Sequence, residues 1–198
     1  MFYRTNEAHG LPHDPFKALV APRPIGWIST QGADGVANLA PYSFFNAISS
    51  QPNIVMFSSQ GRKDSLANIE DSGEFACNLA SYDLRNAMNA SAAMVEADVD
   101  EFELAGLTKR DCRLIAAPCV AESPVVMECR LLEVIRLDRY ENIETPYQMV
   151  LGEVMGIFIK DEMIVEGIVD ITKLKPLARL GYKDYSVVDA VFSIERPK

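Results

Sequence analysis

Residues 25–40 read IGWISTQGADGVANLA. IGWISTQ (25–31) is rich in β-branched and aromatic residues, the composition of a strand. Ala33-Asp34-Gly35 supplies turn chemistry, and VANLA (36–40) is the return strand of a hairpin. Downstream, NIVMFSS (53–59) reads as a buried strand. KDSLANIEDSG (63–73) then reads as a short helix, capped by Asp64 or Ser65, with Leu66 and Ile69 on its apolar face and Gly73 ending it. EFACNLA (74–80) is a further strand. A helix over about 82–94 follows, with Ser81 as its cap and Leu84, Ala87, Met88 and Ser91 on one face.

Residues 95–124 are the least regular, with two turn prolines and an acidic patch. VVMECRLLEVIRLD (125–138) alternates: Met127, Cys129, Leu131, Ile135 and Leu137 share one face, and Glu128, Arg130, Arg136 and Asp138 fall on the other. YQMVLGEVMGIFIK (147–160) is apolar on both faces and carries Gly152 and Gly156, as a central or bent barrel strand does. ITKLKPLARLG (171–181) holds a short helical turn. Upstream, the first 20 or so residues read as an irregular arm punctuated by Pro12, Pro15, Pro22 and Pro24. Strands thus follow one another in hairpin order with few helices between them. A doubly wound parallel sheet needs a helix after nearly every strand. The expected fold is mainly β with added helices, a closed or partly closed antiparallel barrel in a single domain over 1–198.

Composition agrees. The 198 residues are 48% hydrophobic and 24% charged, which excludes a disordered or collagenous chain. The net charge of −9 argues against general nucleic-acid binding, which needs a Lys/Arg footprint, but not against a local cradle for a small anion. The start MFYRTNEAHGLP has no apolar signal region, and no run approaches the ~18 apolar residues of a membrane span. A cytoplasmic protein with no membrane role is expected. Cys77, Cys112, Cys119 and Cys129 include no C-x-x-C pair, and free buried thiols are expected. His9 and His13 have the spacing of a metal pair, but Gly10 and Pro12 oppose the helix that would align them, so no metal site is expected. The acidic run Glu96, Asp98, Asp100, Glu101, Glu103 lacks calcium-loop spacing and reads as a solvated face.

Two stretches carry chemistry. In SSQGRKDS (58–65) a strand ends, a Gly turns the chain, two cations follow and a helix starts. Free N–H groups and the positive dipole end favour an anion there. Arg62 and Lys63 would meet it, with the Ser58, Ser59 and Ser65 hydroxyls completing a cradle. An ordinary polar loop is the alternative. The second stretch, within 23–49, interleaves small and polar residues with aromatics in a loop: Asn38, Ala40, Pro41, Tyr42, Ser43 and Asn46. Such a surface suits a flat heteroaromatic ring; a loop packed on the core is the alternative. Trp27 is open between core and cofactor shelf.

Together, RPIGWIST, DG and NLAPYSFFNAIS, then GRKDSLANI, GEFACNL, VLGEV and LARLGYKDY, in this order and spacing, resemble the flavin reductase-like family of FMN-binding split-barrel proteins over roughly residues 15–185. The resemblance implies a six-stranded antiparallel Greek-key split β-barrel forming homodimers, with FMN near the subunit interface. It places the phosphate on Ser58, Arg62, Lys63 and Ser65. The isoalloxazine would lie along Ser29 and Thr30 and against Asn38, Ala40, Pro41, Tyr42, Ser43 and Ala47, with Arg179 and Tyr182 closing over it and Arg23 and Trp27 lining the same pocket. It implies an NAD(P)H-dependent flavin reductase, with an oxygenase or other electron acceptor downstream. The alternatives are an FMN electron carrier reduced by a protein donor and an FMN-dependent oxidase. Many relatives carry a His before the GEV strand; here Tyr147 or Gln148 stands near that position. The chemistry needs no side-chain nucleophile, so no catalytic residue is named.

Overall fold

In a computed structural model, residues 1–137 and 145–197 are described. Seven strands form the main sheet: β1 (Gly26–Gln31), β2 (Ala37–Tyr42), β3 (Phe45–Ser50), β4 (Asn53–Gln60), β5 (Glu74–Leu79), β6 (Val125–Arg136) and β7 (Tyr147–Ile159). Their order is β2-β1-β5-β6-β7-β4-β3, with every neighbouring pair antiparallel. The helices are short: α1 (Phe16–Leu19), α2 (Asp64–Ser72), α3 (Arg85–Ala90), α4 (Glu101–Leu104) and α5 (Ile171–Leu174).

The sheet curls around one apolar core. Ile28 from β1, Tyr42 from β2, Val55 and Phe57 from β4, Phe75 and Cys77 from β5, Cys129 from β6 and Val150 from β7 pack together. Leu66 and Ile69, the apolar face of α2, join them. The two edges, β2 and β3, are consecutive in the chain but are not paired with each other, so the barrel is split there. Alternation along β1 and β2 sends Trp27 and Leu39 to a second core, under Met88 of α3, Phe102 of α4 and Leu177. Both faces of this hairpin are therefore buried, and both cores bear on the groove that runs along β2.

The hairpin turn forms where Asp34 and Gly35 stand. Asp34 Oδ1 accepts from the Val36 N–H, and Gly35 adopts a φ of +85°. Gly73 ends α2 in the left-handed conformation, as read. The cap of α2 is Lys63 rather than Asp64 or Ser65, because extended backbone persists to Lys63 and the helix begins one residue later. The helix expected over 82–94 is a 3-10 turn (Tyr82–Leu84) followed by α3, ending at Ala90. The Ser91 hydroxyl bonds back to the Met88 carbonyl at that end.

Two strand readings are corrected. Pro41, Tyr42 and Asn46, expected in a loop, lie on strands, the first two extending the expected return strand as β2 and Asn46 on β3, and β3 makes the sheet seven-stranded rather than six. On β6 the alternation fails where the register against β7 shifts: Leu131 faces Gly152 but Glu133 faces Leu151, leaving Leu132 unpaired and 48% exposed. Such a bulge moves every later side chain to the other face, so Val134 rather than Ile135 packs on the core, and Leu137 is exposed. Before the bulge, Glu128 is buried instead of solvated, because its carboxylate accepts from the Arg113 and Leu114 N–H groups. Asp138 lies outside the described residues.

Candidate flavin site

The groove along β2 holds two cavities that share Pro41 and Ala92. The first, about 290 Å³, lies between Asn38, Ala40 and Tyr42 of β2, the α2 start (Lys63, Asp64, Ser65), the loop after α3 and Glu101 of α4. The second, about 420 Å³, runs from Pro41 and Ser43 to Lys17, Arg23, Arg179, Tyr182 and Tyr185. The structure thus brings together nearly all the small and polar residues of 38–43 with Lys63 and Ser65 at one end and Arg179 and Tyr182 at the other.

At the first end, Lys63 caps α2 through extended backbone, and no side-chain cap bond forms there among the described residues. Lys63, Asp64 and Ser65 line the first cavity, so a helix start and a cation meet there, the physical condition for holding an anion. The Ser65 hydroxyl donates to Asn38 Oδ1 at 2.6 Å, and Asn38 Nδ2 donates to Glu101 Oε1 at 2.9 Å. Glu101 Oε2 accepts from the Leu39 N–H at 3.0 Å, an outward donor of an edge strand that would otherwise be orphaned. Glu101 is 5% exposed, and burial, reinforced by the nearby Asp64 charge, raises its pKa. Glu101 is therefore no solvated acid. The signal that places it is Asp100, whose carboxylate accepts from the Phe102 N–H and starts α4 there.

The Tyr42 and Ser58 hydroxyls are buried without a hydrogen-bond partner among the described residues. Burial raises the Tyr42 pKa, and the Ser65 and Ser59 hydroxyls beside it oppose the rise. Ser65 and Tyr42 thus form a polar cluster at the cavity wall, with one hydroxyl unpaired.

Other expected site residues lie elsewhere. Ser29 and Thr30 are fully buried on β1, on opposite faces of the strand: Asn78 Nδ2 donates to Ser29 Oγ at 3.0 Å, and Asn68 Nδ2 to Thr30 Oγ1 at 3.1 Å. Trp27 belongs to the second core, fully buried, its Nε1 donating to Ser91 Oγ at 2.9 Å; it does not line the pocket. Ala47 is exposed on β3. Arg62 points along the outer side of α2, its Nε 2.8 Å from Glu70 Oε2. Arg23 does line the second cavity, but as a clamp. Its guanidinium, 6% exposed, donates to the Lys17, Val20 and Leu180 carbonyls, tying the N-terminal arm to the Arg179–Tyr182 turn. Ala18 packs so tightly on Gly181 there that a Cβ would stand 2.4 Å from its own. The His13 ring meets the Tyr182 ring at a 59° tilt, centroids 5.7 Å apart.

Residues 19–177 match the model of the flavin reductase like domain. The chain belongs to that family. An uncharacterized protein of Aquifex aeolicus is 35% identical over 173 residues, 84% of this chain and 85% of that one. Among solved structures, nitrilotriacetate monooxygenase component B from Bacillus cereus superposes with a TM-score of 0.89 at 29% identity, covering 98% of both chains. The Pseudomonas fluorescens 2-nitrobenzoate 2-nitroreductase NbaA shares the fold, with a TM-score of 0.86 at 23% identity over 100% of this chain and 96% of that one. Family and architecture agree: an oxidoreductase domain on a split barrel, with flavin as its cofactor class. No helix among the described residues is long and apolar enough to cross a membrane.

Proposed function

We propose that this flavin reductase domain binds FMN in the groove along β2 and transfers hydride to it from NAD(P)H. The observation that carries this reading is the pair of cavities meeting at Pro41, one ending in the bare α2 N-terminus with Lys63, the other in Lys17 and Arg179. Each volume fits part of a nucleotide, pockets for such ligands running about 300–1,000 Å³. Lys63, the α2 N–H groups and Ser65 hold the phosphate. Arg62 adds charge only at a distance while paired with Glu70. Ala40, Pro41 and Tyr42, small or flat, give the ring its surface. Ser58, expected to join the cradle, lines neither cavity; its hydroxyl is buried without a partner among the described residues.

FMN supplies the hydride-accepting chemistry when bound. The chain's own part is positional. Glu101 fixes the Asn38 amide, Asn38 fixes Ser65, and the arm clamped by Arg23 holds Arg179 and Tyr182 against the second cavity, where Lys17 and Arg179 suit an anionic donor. Such fixed geometry is what brings two rings to reacting distance. A homodimer with FMN near its interface is part of the proposal. Exposed Ile48 on β3, Met155 and Ile157 on β7, and the hairpin of Ile164, Val165, Ile168 and Val169 support it as apolar surface for a second copy. Likeness to the Bacillus cereus monooxygenase component supports a role in passing electrons onward, an oxygenase among the acceptors.

The test is an anaerobic titration of the FMN-loaded protein with NADH and then NADPH, following flavin absorbance. Rapid bleaching by one of them is expected. Firmly held FMN that only dithionite reduces would replace the reductase reading with that of a carrier awaiting a protein donor.

A further inference from the structure

Away from the groove, the short strand Lys109–Arg110 pairs antiparallel with Cys119–Val120, setting Arg110 opposite Cys119. Arg110 Nε donates to Cys119 Sγ at 3.4 Å, and the guanidinium carbon sits 3.8 Å from the centre of the Phe158 ring, which fixes it over the sulfur. Cys112 packs against the buried cluster that contains Cys119. The neighbouring Cys112 thiol and the Arg110 charge lower the Cys119 pKa, and the same pairing raises that of Cys112. The loop between the two cysteines is pinned: Arg113 and Leu114 N–H groups donate to Glu128, and the Ala116 N–H donates to Glu74 Oε2 at 2.9 Å. Both sulfurs are thus presented by fixed backbone, with Cys112 half-buried and Cys119 buried. The other two thiols, Cys77 and Cys129, share the barrel core, where burial pushes the Cys77 thiol up.

We propose that Cys112 and Cys119 are a reactive dithiol that exchanges with low-molecular-weight disulfides such as glutathione disulfide. Cys112, the more exposed sulfur, attacks one sulfur of the glutathione disulfide as its proton passes to the neighbouring Cys119 thiolate. The Cys112–glutathione S–S bond forms, the glutathione S–S bond breaks, and one glutathione thiolate leaves, taking the proton from Cys119. The Cys119 thiolate, held by Arg110, then attacks Cys112 and expels the second glutathione as thiolate. Two protein sulfurs are oxidised to one disulfide, and one glutathione disulfide is reduced to a thiol and a thiolate. Effectiveness in such exchange depends on thiolate availability and access, and this pair divides the two properties between its members.

The experiment treats the full chain with glutathione disulfide, denatures it, alkylates with iodoacetamide and maps the peptides. The expected result is loss of two of the four alkylations and a Cys112–Cys119 linked peptide. Cys119→Ser should stop at a glutathione adduct on Cys112, and Arg110→Gln should slow closure from that adduct. Full alkylation of all four cysteines in the wild-type protein, or an adduct that stays on Cys112 with Cys119 present, overturns the proposal. The wild-type map decides the matter even where a variant folds poorly.

Discussion

The Glu101 carboxylate accepts from the Asn38 amide at 2.9 Å and, through its other oxygen, from the Leu39 N–H at 3.0 Å, with the carboxylate 5% exposed at the wall of the flavin groove. Its folded-state pKa therefore lies above the ordinary value of 4.5, burial being the main cause. Between that value and the raised one, the folded state binds more protons than the unfolded state. Stability from this group is fully present below 4.5 and falls as pH rises through the raised pKa. Glu101→Gln, which cannot ionise, should lack this decline. Urea unfolding of both proteins at a series of pH values from 4.5 upward reads the difference; parallel slopes would show that Glu101 does not titrate differently on folding.

Lys63 and Arg62 are neighbours with different partners. Lys63 stands at the α2 start beside the cavity, while Arg62 is paired with Glu70. Lys63→Ala should weaken FMN binding by about 1.5–3 kcal/mol, the worth of a charged hydrogen bond. Arg62→Ala should cost under about 1 kcal/mol, as an exposed pair does. Fluorescence titration with FMN measures both. Unchanged affinity in the Lys63 variant would remove the phosphate from this helix.

The barrel and the groove were legible to different degrees. Hairpin order, the Asp34-Gly35 turn and the α2 stop at Gly73 are local chemistry, so sequence pattern alone located them. β3 was not legible, because FNAIS carries Asn and Ser at positions whose strand state comes from pairing with β4, not from propensity. The phase of β6 was lost at Leu132, since a bulge leaves no mark in composition. Lys63, Ser65 and residues 38–43 were legible as a group, since most of them line the two cavities of the groove. Glu101 was hidden within an acidic run, and the pairing of Arg62 with Glu70, eight residues on, leaves no mark in the local pattern. Both concern charges whose partners are fixed by folding.

Gly152 on β7 lies against the Phe75 ring: a Cβ there would stand 2.2 Å from Phe75 Cζ. Phe75 is fully buried in the barrel core and packs edge-on against Phe57 at 5.7 Å, so it has little room to yield. Gly152→Ala should destabilise the fold by about 1–3 kcal/mol through overpacking. Adding Phe75→Leu should recover part of that loss, giving a favourable coupling in a double-mutant cycle. Additive effects would mean that the two positions do not meet.

The Arg23 clamp predicts a separation of binding functions. Its guanidinium holds the Lys17, Val20 and Leu180 carbonyls, and so joins the arm to the turn that carries Arg179 and Tyr182. Arg23→Met keeps the bulk but leaves those carbonyls without the cation, each such bond being worth about 1.5–3 kcal/mol. The arm should then be cut faster by protease ahead of the barrel, since locally opened segments are the ones cleaved. With Arg179 and Tyr182 no longer held, KM for the nicotinamide should rise several-fold. FMN affinity should change little, because Lys63, Ser65 and Asn38 stand on elements that Arg23 does not touch. Limited proteolysis followed by steady-state kinetics tests both halves. Faster cleavage without a change in KM would show that the second cavity does not serve the donor.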